Sequence, residues 1–190
     1  PFSAAGLASL QGHVDVVYES WMQTRRLQDP EALAQRLYDE HIEILVVESD
    51  FVFEEIFEGA PDLEFVGVCR SATHQVDIDA ATAHGVLVVN SPGRNAKAVA
   101  EHALGLMLAL ARRIPAAHAM VAGGKWDDPV SPYINMRGVE LGGKTLGIFG
   151  LGVIGQRLAA IGSAIGMISV AYDPYVVNPP ADVALKGLDE

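Results

Sequence analysis

Leu146-Gly147-Ile148-Phe149-Gly150-Leu151-Gly152-Val153-Ile154-Gly155 is the stretch that decides the fold. A short apolar run, reading as a buried strand from Lys144 to Phe149, enters the pattern G-x-G-x-x-G, and Gln156 to Ile165 leaves it with helical spacing. The three glycines have separate tasks. Gly150 permits the tight turn, Gly152 lets backbone approach a pyrophosphate, and Gly155 lets helix pack on strand. The helix start, with Val153 and Ile154 in its first turn, offers unpaired N–H groups and a partial positive charge to phosphates. The next strand, Ile168 to Tyr172, ends in Asp173, 18 residues beyond Gly155, where dinucleotide folds place a ribose-binding acid.

Asp173 also bears on which dinucleotide fits. A carboxylate accepts hydrogen bonds from ribose hydroxyls, whereas the extra phosphate of NADP would set like charges together. Between Tyr175 and Asp182 there is no Lys or Arg to hold that phosphate. The expected cofactor is NAD.

Upstream, Val14 to Tyr18, Ile44 to Val47, Phe65 to Cys69 and Val86 to Val89 read as buried strands, spaced too far apart for hairpins. Helices fall between them. One has Asp29 as N-cap and Pro30 at its first position; another runs from Asp77 to His84 and meets Gly85 where a left-handed cap is wanted. Strands alternating with helices imply α/β architecture with doubly wound parallel sheets. A strand-to-helix turn reads as beginning at Phe2, so a first strand is expected upstream of it and the opening sheet is expected to be incomplete. After the turn Ser91-Pro92-Gly93, Asn95 is the expected N-cap of a helix ending at Arg112-Arg113. Its interior, Ala103 to Ala111, is apolar on every face, which predicts burial on every side. Ala122 to Gly143, rich in Gly, Pro and Asp, reads as a loop or arm.

Composition excludes some partners. Lys plus Arg number 13 against 24 Asp plus Glu, a formal charge of -11 that would repel a phosphate backbone, so nucleic acid is not expected. The run Ala103 to Ala111 is about half of the roughly 20 residues a membrane span needs. One cysteine, Cys69, forms no internal disulfide and reads as a packing residue; a reducing cytoplasm is the expected compartment. No metal is expected.

The segments Leu63 to Arg70, Val76 to Thr82, Gly85 to Asn90, Asn95 to His102 and Gly143 to Gly152 together resemble the D-isomer-specific 2-hydroxyacid dehydrogenases. Thr73-His74-Gln75-Val76-Asp77 adds a likeness to phosphoglycerate dehydrogenases within them, although similar loops occur in hydroxypyruvate and glyoxylate reductases. The resemblance implies a flavodoxin-like substrate domain over residues 1–94, an interdomain helix over 95–113, and the N-terminal half of a Rossmann NAD-binding domain over 114–190, both domains incomplete. It implies NAD-dependent oxidation of a D-2-hydroxy acid, with 2-oxo acid reduction in reverse. By the same resemblance, the loop at Ser71 and Ala72 donates backbone N–H groups to the substrate carboxylate, and Asn95 positions substrate. Ala72 stands where the family commonly has glycine. Arg70 at the strand end reads either as a bidentate anion ligand or as a solvated loop charge. A helical arm near Ala116 to Gly123 would meet a second subunit in a homodimer or homotetramer.

The family's proton-transfer histidine, its orienting glutamate and its substrate arginine lie beyond the second strand of the NAD domain. None of His13, His41, His84, His102 or His118 stands in the family's catalytic histidine motif, so no catalytic residue is expected in this chain. A different class of reading stays open: an NAD-sensing, corepressor-like binding protein of the same fold.

Overall fold

The computed structural model describes residues 3–189. The strand-to-helix turn expected around Phe2 lies outside them. The chain divides into two compact units, Pro1–Pro92 and Gly93–Glu190.

In the first unit the order is α1 (Ala4–Gln11), α2 (Trp21–Thr24), α3 (Pro30–Asp39), β1 (Ile44–Val47), α4 (Glu54–Gly59), β2 (Phe65–Val68), α5 (Ile78–Ala83) and β3 (Leu87–Asn90). The strands form one parallel sheet in the order β1-β2-β3, with Ile44 beside Phe65 and Phe65 beside Leu87. Cap chemistry sets the helix starts. Asp29 accepts from the Ala32 N–H at 3.1 Å and Asp77 from the Ala80 N–H at 2.9 Å, each satisfying an otherwise orphan donor. Gly85 follows α5 with φ +73°, a left-handed position that costs glycine little.

The core of this unit lies on one side of the sheet. Leu33, Leu37, Ile56, Phe57 and Ala81 pack with Val47, Val66 and Val68 from the strands. Fully burying one such side chain is worth about 1.5–3 kcal/mol. The alternate residues Ile44, Val46, Leu87 and Val89 face outward and are exposed.

Val14 to Tyr18 departs from the sequence expectation. It runs without strand pairing, and Val14, Val17 and Tyr18 are exposed rather than buried. A strand exists only through ladder bonds to a neighbour. Among the described residues no strand lies beside this one.

The second unit contains α6 (Ala96–Ala111), α7 (Ile114–Ala122), α8 (Val130–Asn135), β4 (Thr145–Phe149), α9 (Val153–Ala164), β5 (Ile168–Tyr172) and β6 (Val183–Leu185). Its sheet is parallel with order β4-β5-β6. Leu146, Ile148, Ala171 and Val183 point to the core with Ala159 of α9 and Met167, while Phe149 and Ile168 point away. Helix α9 lies close to this sheet because Gly162 has no side chain; a Cβ there would stand 2.7 Å from the Leu146 Cδ2. The Ser169 hydroxyl, buried in the same layer, has no hydrogen-bond partner among the described residues.

The expected burial of Ala103 to Ala111 on every side is not what the fold delivers. Helix α6 packs against α9 and α7, but its only buried residues are Ala96 and Ala100, and Leu106 and Leu110 are 59% and 82% exposed. An apolar composition says that a face can be buried; the neighbours present decide whether it is. Helix α7 follows after a two-residue break, where Arg113 takes φ +54° and bends the pair by 64°. No single described helix is long and apolar enough to cross a membrane.

Candidate functional site

The glycine turn after β4 has the geometry its sequence implies. Gly150 sits at φ +91°, a conformation that L side chains rarely adopt. A Cβ on Gly155 would collide with the Gly150 carbonyl oxygen and stand 3.2 Å from the Ile148 Cγ2, so this position is closed to any side chain. Gly152 is the opposite case. A Cβ there would meet nothing within 4 Å, leaving the backbone open on the side where a ligand would approach.

Beyond Gly152, α9 begins without a side-chain cap. The N–H groups of Val153, Ile154 and Gly155 have no protein acceptor among the described residues, as the first turn of a helix dictates. Such a turn is an anion site by construction, since its donors and the helix dipole point the same way.

Asp173 closes the other side. Its Oδ2 accepts from the Leu151 N–H at 2.7 Å, and its Oδ1 accepts from the N–H groups of Tyr175 at 2.8 Å and Val176 at 3.2 Å. The Tyr175 bond, then the Leu151 bond, hold its carboxyl below the usual carboxylate range, with the Val176 bond adding to them. A carboxylate has about four acceptor positions. Three are filled, and the remaining one is on Oδ2.

Sequence reasoning missed Gln156. Its Nε2 donates to the Leu151 carbonyl at 3.0 Å, so Leu151, itself fully buried, is held by Asp173 through its N–H and by Gln156 through its C=O. Nothing in the pattern marks one glutamine of an amphipathic helix as a brace for the preceding turn.

In the first unit, the loop after β2 leaves the carboxyl edge of the sheet, where open α/β sheets place ligands. Arg70, Ser71 and Ala72 are exposed there. The Arg70 Nη2 donates to the Ser49 Oγ at 2.7 Å, so the guanidinium is tied to the loop after β1 instead of moving freely in solvent. Asn90, at the end of β3, donates from Nδ2 to the Ser71 carbonyl at 2.6 Å and fixes the loop from its other side. The side-chain bonds of Ser49 and Asn90 went unread in the sequence, because each reaches a partner in a distant loop. The Ala72 N–H has no acceptor among the described residues. Asn95 lies in the second unit at the N-cap position of α6, as expected, but makes no side-chain cap bond. Its amide is therefore not spent on the helix. No group of three or more metal-ligating side chains occurs among the described residues.

Residues 104–189 match the profile of the D-isomer specific 2-hydroxyacid dehydrogenase, NAD binding domain. YoaD of Bacillus subtilis, a 2-hydroxyacid dehydrogenase by name, is 36% identical over 178 residues, covering 93% of this chain and 52% of that protein. The D-3-phosphoglycerate dehydrogenase of Methanocaldococcus jannaschii is 40% identical over 155 residues, 81% of this chain and 28% of the relative. The chain thus spans about half of the one relative and less of the other. Among solved structures, the D-lactate dehydrogenase of Aquifex aeolicus, complexed with NAD and lactic acid, superposes with a TM-score of 0.69 at 26% identity, over 85% of this chain and 47% of that one.

Proposed function

We propose that this chain, whose residues 104–189 match the NAD-binding domain of the D-isomer specific 2-hydroxyacid dehydrogenases, is part of an NAD-dependent enzyme that oxidises a D-2-hydroxy acid or reduces the 2-oxo acid in reverse. The observation that carries this reading is the glycine turn bonded to the acid after the following strand, Leu151 to Asp173.

The residues fit NAD. Gly150, Gly152 and Gly155 form the turn, the N–H groups of Val153 and Ile154 face the pyrophosphate, and the open position on the Asp173 Oδ2 accepts from a ribose hydroxyl. Bound NAD supplies the acceptor for the hydride that leaves C2 of the hydroxy acid. The chain's own part on the substrate side is to bind and orient. The N–H groups at Ser71 and Ala72 receive the substrate carboxylate, and Arg70 adds a charge held in place by Ser49. Residues 1–94 act as the substrate domain and 114–190 as the start of the NAD domain, joined by the α6 segment. The exposed apolar residues Leu106 and Leu110 of α6 and Ile114 and Val121 of α7 support assembly into a homodimer or homotetramer. A single unpaired cysteine, Cys69, supports a reducing, cytoplasmic setting.

The test is a calorimetric titration of the chain with NAD and with NADP. Binding of NAD about tenfold or more tighter than NADP is expected, narrowed by Asp173→Ala, because the 2'-phosphate would meet an ionised carboxylate. Equal affinity for both in the unmutated chain would overturn the cofactor assignment.

A further inference from the structure

At the carboxyl edge of the first sheet, beside the loop just assigned to the substrate carboxylate, lies a pocket of about 610 Å³ lined by Trp21, Met22, Arg25, Arg26, Leu27 and Ser49. Its walls are mainly apolar and its cations come from two consecutive arginines. Neither guanidinium lies within 4 Å of a carboxylate among the described residues, although carboxylates are near in sequence and space. Those carboxylates are already engaged. Glu19 pairs with Arg36 at 2.8 Å and accepts from Gln28 Nε2 at 2.8 Å, Asp50 accepts from the Gln28 N–H at 2.8 Å, and the Glu48 Oε2 lies 3.4 Å from the Trp21 indole Nε1. Two cations on the rim of an apolar pocket are thereby left to an outside anion.

Two further observations place the pocket and fix its arginines. Ser49, one of its lining residues, holds Arg70 at 2.7 Å, so the pocket adjoins the proposed carboxylate loop through one side chain. Arg25 is the left-handed C-cap of α2, at φ +56°, with its N–H bonded to the Trp21 carbonyl at 2.7 Å. The local backbone thus holds Arg25 beside Arg26 at the mouth of the pocket.

We propose that this pocket receives the far end of the substrate: a 2-hydroxy or 2-oxo acid whose side chain carries a second anionic group, carboxylate or phosphate, bound by Arg25 and Arg26. The short apolar link between the two anions lies against Trp21, Met22 and Leu27. This rests on the reading of Arg70, Ser71 and Ala72 as the site of the first carboxylate.

The experiment follows Trp21 fluorescence in the full 190-residue chain, with Trp126→Phe removing the other tryptophan. It titrates D-lactate, D-2-hydroxyglutarate and D-3-phosphoglycerate as probes with one or two anions. At least one of the two larger acids binds about tenfold or more tighter than lactate, the worth of one charge-assisted contact. Arg25→Gln with Arg26→Gln removes that advantage and leaves lactate binding unchanged, while the paired Lys substitutions restore part of it. A gain for phosphoglycerate alone assigns the second anion as phosphate, and a gain for hydroxyglutarate alone assigns a carboxylate. Equal affinities for all three acids, or an advantage that survives the paired Gln substitutions, would overturn the proposal. Arg70→Ala separates the two readings, because it weakens all three acids alike if the loop binds the shared carboxylate. If it changes none while the Gln pair still removes the advantage, the pocket stands and the loop assignment falls.

Discussion

The backbone N–H of Leu151 and the Oδ2 of Asp173 are joined across 2.7 Å, so the turn after β4 and the acid after β5 form one bonded unit before any ligand arrives. The pH dependence of this bond follows from its donors. Hydrogen bonds to the ionised form hold the Asp173 carboxyl below its ordinary range, so the folded state keeps the charge that the unfolded state would lose first. Its contribution is full above the unfolded value, near pH 4, and is lost as pH falls through the lower folded value. Thermal melts at falling pH should show a larger acid loss of Tm in the unmutated chain than in Asp173→Asn, which carries no titrating group there. Parallel curves would mean that the three N–H bonds contribute nothing to folding.

The two glycines of the turn should fail in different ways. Gly155→Ala drives a Cβ into the Gly150 carbonyl, and overpacking of this kind costs about 1–3 kcal/mol, seen as a lower urea midpoint. Gly152→Ala meets no protein atom within 4 Å, so stability should hold while NAD affinity falls as the Cβ occupies the path of the pyrophosphate. A Gly152→Ala chain that binds NAD normally would contradict the pyrophosphate assignment.

On the substrate loop, Ala72→Pro deletes a backbone donor without removing a side-chain function. The loss of one charge-assisted bond is worth roughly 1.5–3 kcal/mol. Binding of D-lactate to the chain, followed by calorimetry, should weaken by about tenfold or more with NAD affinity unchanged. Arg70→Lys should recover only part of what Arg70→Ala loses, since the planar fork reaching Ser49 is gone. Unaltered acid binding in all three variants would move the carboxylate site elsewhere.

Ser169→Ala is expected to stabilise the second unit. The hydroxyl is 2% exposed and unpaired among the described residues, and an unsatisfied buried polar group costs about 1–3 kcal/mol. The alanine removes the polar atom and leaves a void of only one oxygen. A midpoint in urea that drops, with an unchanged slope, would show that the hydroxyl has a bonding partner.

What the sequence made legible was chemistry closed within a few residues. Asp29 and Asp77 cap their helices through bonds to the third residue on, Ile168 to Tyr172 is the strand it reads as, and Gly150 takes the positive φ that its turn requires. What stayed hidden depends on distant neighbours. Val14 to Tyr18 has the composition of a strand but no strand beside it, and Leu110 has the composition of a core residue but nothing over it. The six-residue helix Glu54–Gly59 is too short to show a period, and it is Phe57 and Ile56, packed under the sheet, that hold it. At the candidate site the glycines and Asp173 were readable because each answers to a fixed backbone geometry. Gln156, Ser49 and Asn90 were not, since a side chain bonding across 5, 21 or 19 positions leaves no local trace.

The alternation along the strands has a colloidal consequence. Ile44, Val46, Leu87 and Val89 line one outward face, so the first sheet presents a greasy surface to solvent. A formal charge of -11 keeps copies of the chain apart at long range. That repulsion reaches about 10 Å at 0.1 M salt and about 3 Å at 1 M, whereas contact between apolar rows needs no charge at all. Added salt should therefore convert a dispersed solution of this chain into clusters held sheet to sheet, and light scattering should rise with ionic strength well before any helix melts.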